Sequence, residues 1–194
     1  VFDAARCVPN GDPQTGLQRM VDGRALVSQF CIKNKVKKYL ALEGHKILHY
    51  DLEEAIPIAQ KLKAKKNIEE VEKEALEYLD TRLFGACDLA GKLQLKLPGI
   101  VGVENAMSCD KVNLIDMNLC KSYQVDINED GTNNGSGFDI QNEIMDYGLF
   151  TCFGGTNLQY GERYGFTDED MELFFHGLMH MFDNDQAVAR PIGS

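Results

Sequence analysis

The chain of 194 residues is 44% hydrophobic and 26% charged, which suits one compact domain whose core needs neither disulfide nor metal. Its formal net charge of −10 argues against a generic nucleic-acid coat or a membrane-surface protein. No apolar run reaches the roughly 18 residues of a transmembrane helix. The six cysteines form no C-x-x-C pair, which excludes a zinc ribbon and favours small buried side chains in a reducing cytosol.

The first part of the chain alternates strand and helix patterns. Val1 to Val8 is predicted to form a strand, which ends in the turn-forming residues Pro9 to Pro13. Since the strand pattern opens without an initiator methionine, we expect the native chain to begin upstream. A Gly-containing loop around Gly23 leads into a helix from about Leu26 to Leu42, because apolar residues there recur at helical spacing. A short strand is expected at His45 to Tyr50.

The middle of the chain mixes helical and extended patterns. A helical segment broken at Pro57 is expected between Asp51 and Lys66, and Asn67 then caps a helix that ends near Asp80. The segments that follow are a loop at Phe84 to Ala90, strands at Lys92 to Val103 and Met107 to Ile115, and a polar insertion at Asn118 to Gly137.

The last part of the chain contains the clearest helix. After a predicted strand at Tyr147 to Phe153, Thr167 and Asp170 form a capping box. The apolar face of this helix is predicted to consist of Met171, Phe174, Phe175, Leu178 and Phe182. The order of the elements predicts an α+β, ferredoxin-like fold with helices on one face of a sheet.

Two short motifs resemble metal sites but are incomplete. The run from Asp126 to Gly131 matches the first half of a calcium loop, yet Gly137 stands where the bidentate Glu is required. His176 and His180 have the spacing of two metal ligands on a helix, but no third ligand is evident. We therefore expect an acidic solvated loop and two histidines on a polar helix face.

A row of lysines marks the first long helix. It consists of Lys33, Lys35, Lys37 and Lys38. Such a run is ordinarily a solvated helix face. Because it follows loops that carry Arg19 and Arg24, it also has the form of a row of cations along which the phosphates of a single strand bind.

Five blocks of sequence stand out along nearly the whole chain. They are Val1 to Pro13, Leu26 to Lys37, Asp80 to Ala86, Tyr147 to Phe150, and Tyr164 to Phe182 followed by Ala189-Arg190. In this order they resemble the CRISPR-associated backbone subunit of type I Cascade, in its type I-C and I-B branch.

The resemblance implies an α+β fold with a ferredoxin-like (RRM-like) palm, helices on one face and an inserted β-hairpin thumb. In a single domain, residues 1–112 would form the palm and fingers, 113–146 the thumb, and 147–194 the rest of the palm. The implied protein is a cytoplasmic, non-catalytic subunit without cofactor or metal that polymerises along CRISPR guide RNA. Its partners would be the guide RNA, target DNA through the guide, copies of itself in a helical filament and other Cascade subunits, but no membrane.

The resemblance also carries RNA-binding positions onto this chain. They are Arg19, Ser28, Gln29, Lys33, Lys37, Lys38, Asn105, Ser108 and Met117. Lys33 and Lys37 match basic helix positions that touch the guide backbone. Ser28 and Gln29 fall where the helix N-terminus meets a phosphate, and Ile115 or Met117 of the thumb would wedge against a base.

The chain departs from the family pattern at three places. The expected thumb is acidic around Asp126 where arginines are usual, and Asn34 replaces an expected arginine. The chain also stops soon after Arg190, short of the usual C-terminal strand, so we expect it to be a fragment.

Two other functions stay open at this stage. One is a metal-dependent ribonuclease similar to type III backbone subunits, with Asp12 or Asp22 as the catalytic carboxylate. The other is a calcium-binding interaction module centred on Asp126, Asn128 and Asp130.

Overall fold

A computed structural model describes residues 1–12, 14–48, 67–87, 96–121, 125–127, 133–135 and 138–185. The chain forms two compact units, each assembled from separate stretches of sequence. The first contains Val1–Val27 and Ala106–Thr151, and the second contains Ser28–Asn105 and Cys152–Asp185. Among the described residues, no helix has the length and apolar character needed to cross a membrane.

The described elements confirm a mixed α+β chain with an antiparallel sheet. The strands are β1 (Phe2–Cys7), β2 (Met20–Val21), β3 (Arg24–Val27), β4 (Gly85–Cys87), β5 (Lys96–Pro98), β6 (Val101–Val103), β7 (Ala106–Ser108), β8 (Leu114–Lys121), β9 (Val125–Ile127), β10 (Asn133–Gly135), β11 (Phe138–Thr151) and β12 (Gly154–Thr156). The helices are α1 (Gln29–Leu42), α2 (Ile68–Ala75), α3 (Leu79–Phe84), α4 (Gly161–Tyr164) and α5 (Asp168–His180), with a 3-10 turn at Leu158–Tyr160.

The first unit is built on the long strand β11. The strands lie in the order β1-β11-β7-β3-β2, and β8 also pairs with β11. Phe2 of β1 lies opposite Phe150, and their rings stack with centroids 5.1 Å apart. The first half of β11 pairs with β8 from Phe138↔Lys121 to Met145↔Leu114. A long antiparallel ladder therefore occupies part of the region in which the sequence predicts an insertion.

The boundary predicted for the first helix is wrong at its N-terminus. Leu26 and Val27 lie in β3, where they pair with β7, and α1 begins at Gln29. The Ser28 side chain caps the helix by accepting a hydrogen bond from the Cys31 backbone N–H, which explains the later start. The predicted loop around Gly23 is a tight β2–β3 hairpin, since Asp22 and Gly23 have φ angles of 51° and 81°.

The prediction of one helix from Asn67 to near Asp80 is also wrong. Asn67 caps α2 as expected, but α2 ends at Ala75 and α3 begins at Leu79. The Leu79 backbone N–H donates to the Lys46 carbonyl instead of continuing α2.

Two further segments differ from their predictions. The stretch from 45 to 48 forms no strand, and residues 85–87 form β4 rather than loop. The predictions for 49–66 and 88–95, and parts of the 118–137 insertion, fall outside the described residues.

In the second unit, α1 packs against α5. The predicted inward face of α1 is confirmed, because Ile32, Val36, Tyr39 and Leu40 are all buried. Gly177 of α5 permits the close approach, since a Cβ there would lie 2.9 Å from Val36 Cγ1. The Thr167–Asp170 capping box is confirmed at the start of α5.

One position of the predicted α5 core is wrong. Phe174 is buried, whereas Phe175 is 55% exposed. One residue along a helix rotates the side chain by about 100°, so two adjacent phenylalanines do not both face α1.

We expect Gly85→Ala to be more destabilising than Gly165→Ala. Both glycines have positive φ angles, of 77° and 63°. Gly165 is in the left-handed helical conformation, with a ψ of 32°, which costs an alanine about 1 kcal/mol, whereas Gly85 has a ψ of 177°, in a region that essentially only glycine adopts. At Gly85 the added Cβ would also overlap the Leu97 carbonyl oxygen across the β4–β5 ladder, whereas Gly165 faces open space. Urea unfolding should show a loss of about 3 kcal/mol for Gly85→Ala. Equal losses in the two variants would contradict this account of Gly85.

Candidate functional site

In the second unit, two lysines of α1 share one aromatic ring. Lys33 and Lys37 lie one helical turn apart, and both ammonium groups sit over the Phe84 ring, 5.5 and 5.7 Å from its centroid. These distances are typical of cation–π contacts. The ring at the end of α3 therefore holds both cations next to each other.

Lys37 also forms an ion pair with a buried carboxylate. Its Nζ lies 3.2 Å from Oδ2 of Asp80, whose side chain is 1% exposed. The other oxygen, Oδ1, accepts a hydrogen bond of 2.7 Å from the Leu48 backbone N–H. A buried carboxylate requires such partners, so the charge of Lys37 is committed to Asp80.

Lys33 is placed differently. It is half-buried, and within the described part of the chain it forms no ion pair. Burial lowers the pKa of Lys33, and the neighbouring charge of Lys37 lowers it further. Its positive charge is consequently the one on this face of α1 that no described carboxylate neutralises.

The remaining lysines of the run hold the segment after α5. Lys35 is buried and pairs with Asp185, and its Nζ lies 5.4 Å from the centroid of Phe182. Lys38 Nζ donates to the Asn184 carbonyl oxygen at 3.3 Å. Lys35, Lys37 and Lys38 thus have partners within the fold, whereas Lys33 has no carboxylate partner among the described residues.

Three of the predicted residues meet at the N-terminus of α1. Ser28 Oγ accepts from the Cys31 N–H at 3.3 Å, and Asn105 Oδ1 accepts from the Gln29 N–H at 2.8 Å. Both bonds satisfy N–H groups that the first turn of a helix leaves open. Asn105 is exposed, and its side-chain oxygen is the acceptor in this cap.

In the first unit, Arg19 lies beside a structured acidic turn. Its guanidinium is 3.7 Å from the Asp12 carboxylate, and both side chains are more than a third exposed. Asp12 Oδ1 accepts from the backbone N–H groups of Gln14 and Thr15, and these bonds hold the pKa of Asp12 below its usual value. The Asp12 side chain therefore stabilises a turn. Asp22, the other candidate carboxylate, lies in the turn of the β2–β3 hairpin.

Ser108 and Met117 occupy the sheet of the first unit. Ser108 is buried, and its Oγ accepts from the Ala25 N–H and donates to the Asp110 carbonyl, which joins β3 to β7. Met117 lies in β8 opposite Asn142, and its side chain is outside the described residues. Ile115, two residues earlier, is 43% exposed.

The described residues of the two motifs that resemble metal sites contact or pair with other residues of the chain. His176 Nε2 lies 3.2 Å from the Tyr39 hydroxyl, and His180 Nδ1 lies 2.7 Å from an Asp183 oxygen. Asp126 lies in β9, paired with Asn134 of β10, while Asn128 and Asp130 are outside the described residues. In the part of the chain that is described, no three His, Cys, Asp or Glu side chains cluster as metal ligands.

The roles of Asp80 and Phe84 are not predicted from the sequence. Their block carries part of the family resemblance, but neither residue is expected there to contact the lysines. The available signal was the carboxylate of Asp80 between Leu79 and Leu83, because a carboxylate that is buried among such neighbours must find a cation. What the sequence could not supply was which of several lysines that cation would be.

We expect Lys37→Met to lower the free energy of unfolding by about 3 kcal/mol, because it removes the cation that lies 3.2 Å from the buried Asp80 carboxylate. Lys73→Met, on the exposed surface of α2, should change it by less than about 0.5 kcal/mol. Adding Asp80→Asn to Lys37→Met should recover part of the loss, since the amide keeps the Leu48 bond without a charge. Urea unfolding measures all three, and no recovery in the double variant would refute the ion-pair explanation.

Comparison with known proteins identifies the family of the chain. No curated protein matches the chain. A family model described as CRISPR-associated protein Cas7 matches residues 1–194, which is the whole length. The chain therefore belongs to the Cas7 family of CRISPR-associated proteins.

Proposed function

We propose that this chain binds CRISPR guide RNA as a backbone subunit of a type I surveillance complex. Proteins of the Cas7 family are crRNA-binding backbone subunits of such complexes and are typically non-catalytic in type I systems. The full-length family match is the observation that carries the proposal. The accessible positive charge of Lys33 on a well-packed helix supports it.

The order of elements supports a ferredoxin-like palm. The elements β1, α1, β7, β11 and α5 follow one another as β-α-β-β-α, and their three strands lie in the order β1-β11-β7. A ferredoxin-like fold has this succession and this strand neighbourhood. The β8–β11 ladder would then be the base of the thumb, inserted at 113–146 between palm segments at 1–112 and 147–194.

The charge distribution favours local binding of the guide backbone. With a net charge of −10, the chain repels a polyanion except where cations are grouped. Arg19 in the first unit and Lys33 in the second are the accessible cations we assign to phosphates, with the Asn105 amide as a hydrogen-bond donor. Such contacts fix the backbone and leave sequence reading to base pairing with target DNA.

The finer assignments follow the family resemblance. They are the type I-C and I-B branch, the helical filament of subunits, the contacts with other Cascade subunits and the wedge at Ile115 or Met117. A head-to-tail contact between identical subunits builds such a filament.

Binding of labelled single-stranded RNA of about 40 nucleotides across a salt series tests the proposal. We expect sequence-tolerant binding that weakens steeply with salt. Lys33→Glu should reduce the affinity by about tenfold, because it removes one phosphate contact and adds a repulsion. Lys73→Glu makes the same charge change on the exposed face of α2 and should have a small effect.

Two outcomes would contradict the proposal. Equal losses for Lys33→Glu and Lys73→Glu would mean that Lys33 has no specific place at the RNA. RNA cleavage that requires a divalent metal and disappears in Asp12→Asn would instead support the ribonuclease alternative.

A further inference from the structure

We propose that Phe84 is a positioning residue that holds the Lys33 ammonium in place for a backbone phosphate, while Lys37 serves the fold through Asp80. The inference rests on the proposed RNA-binding function. Lys33 and Lys37 receive different roles in it, whereas the resemblance implies the same role for both. It assigns the phosphate contact to one residue and names the side chain that orders it.

Phe84 is itself held firmly. It is the last residue of α3, and its ring meets the buried Phe174 edge to face, with centroids 5.8 Å apart. The next residue, Gly85, lies so close to the Leu97 carbonyl that no side chain fits there. The ring therefore has a defined position from which to order a long, flexible side chain.

A ring face suits this task better than a carboxylate would. It attracts an ammonium through the electrostatics of its π-system, but it neither neutralises the charge nor accepts a conventional hydrogen bond. The N–H donors of Lys33 that point away from the ring thus stay available for phosphate oxygens. Ordering the side chain beforehand also reduces the rotamer entropy that binding would otherwise cost.

Lys37 is not available for a phosphate, although its ammonium group also lies over the Phe84 ring. Its Nζ is 3.2 Å from a carboxylate that is 1% exposed, and moving it to a phosphate would separate the buried Asp80 from the cation with which it pairs. The penalty for stranding a buried charge exceeds what one exposed phosphate contact returns. Lys37 therefore stays with Asp80 when RNA binds.

The charge environment of Lys33 agrees with this division. Burial is the larger cause of the lowered pKa of Lys33, and the positive charge of the adjacent Lys37 is the smaller cause. A phosphate beside Lys33 opposes both effects because its negative charge stabilises the ammonium form. RNA binding should accordingly raise the pKa of Lys33, which NMR titration of its side chain detects.

The test combines the RNA salt series with a double-mutant cycle. Lys33→Gln should make the slope of log affinity against log salt shallower by about 0.7, the value for one phosphate of a single strand. Phe84→Leu should weaken binding about threefold in the wild-type background and have no further effect in Lys33→Gln. Phe84→Tyr keeps the ring and should restore the affinity.

Lys37→Met provides the comparison between the two lysines. It should keep the wild-type salt slope while lowering the free energy of unfolding. A loss of slope equal to that of Lys33→Gln would overturn the division. An additive effect of Phe84→Leu in the Lys33→Gln background would overturn the positioning role.

A measurement on the unmodified chain covers the case in which Phe84→Leu does not fold. If Lys33 lies over the ring, its Cε protons should show an upfield ring-current shift in the NMR spectrum, and their absence from the shielded region would refute the proposal. Failure of the proposed function looks different, because the wild-type chain would then show no salt-dependent RNA binding at all while the ring-current shift remained.

Discussion

The buried carboxylate of Asp80 is the constraint around which the second unit is arranged. It accepts the Leu48 N–H with one oxygen and pairs with Lys37 through the other, so it ties the segment after α1, α1 itself and α3 together. Removing a charge of this kind from water is costly, and the partners must stay in place to compensate it. The position of Lys37, and with it the orientation of α1, follows from that requirement.

A second ionic contact fixes α3 from its other side. Arg82 donates through Nε and Nη2 to the two oxygens of Asp170, at 2.8 and 2.6 Å, and through Nη1 to the Leu76 carbonyl. Asp170 is also the third residue of the capping box that starts α5. The fork geometry of the guanidinium makes this contact directional. The short helix α3 therefore connects α1, the end of α2 and α5. These contacts fix the position of Phe84 at the end of α3.

This arrangement reconciles an acidic protein with the binding of a polyanion. Most lysines of α1 are engaged in holding the fold, so their number says little about the strength of RNA binding. What counts is the charge that remains unneutralised and its position, which here is Lys33 above an aromatic ring. Under the proposed function, the overall negative charge opposes indiscriminate association with nucleic acids, and the phosphate contact that we propose on α1 is confined to Lys33.

The sequence by itself determined the features that depend on neighbours along the chain. The first strand, the inward face of α1, the Asn67 and Thr167 caps and the α+β class all follow from local spacing and capping chemistry, and the structure confirms them. The resemblance of five ordered blocks determined the family, which the full-length match confirms. Local rules also failed where long-range pairing decided, as at Leu26 and Val27, which the β7 partner draws into a strand.

Tertiary structure alone decided which lysine does what. The sequence pattern of α1 does not distinguish Lys33, Lys35 and Lys37. In the structure Lys35 pairs with Asp185 and Lys37 pairs with Asp80, and both carboxylates are far from α1 in the sequence. It likewise decided that Ser108 is buried beneath a β3–β7 contact and that Asn105 caps α1. The physical reason is that the cost of burying a charge or a polar group is set by partners in space, and a pattern of residues along one helix carries no information about them.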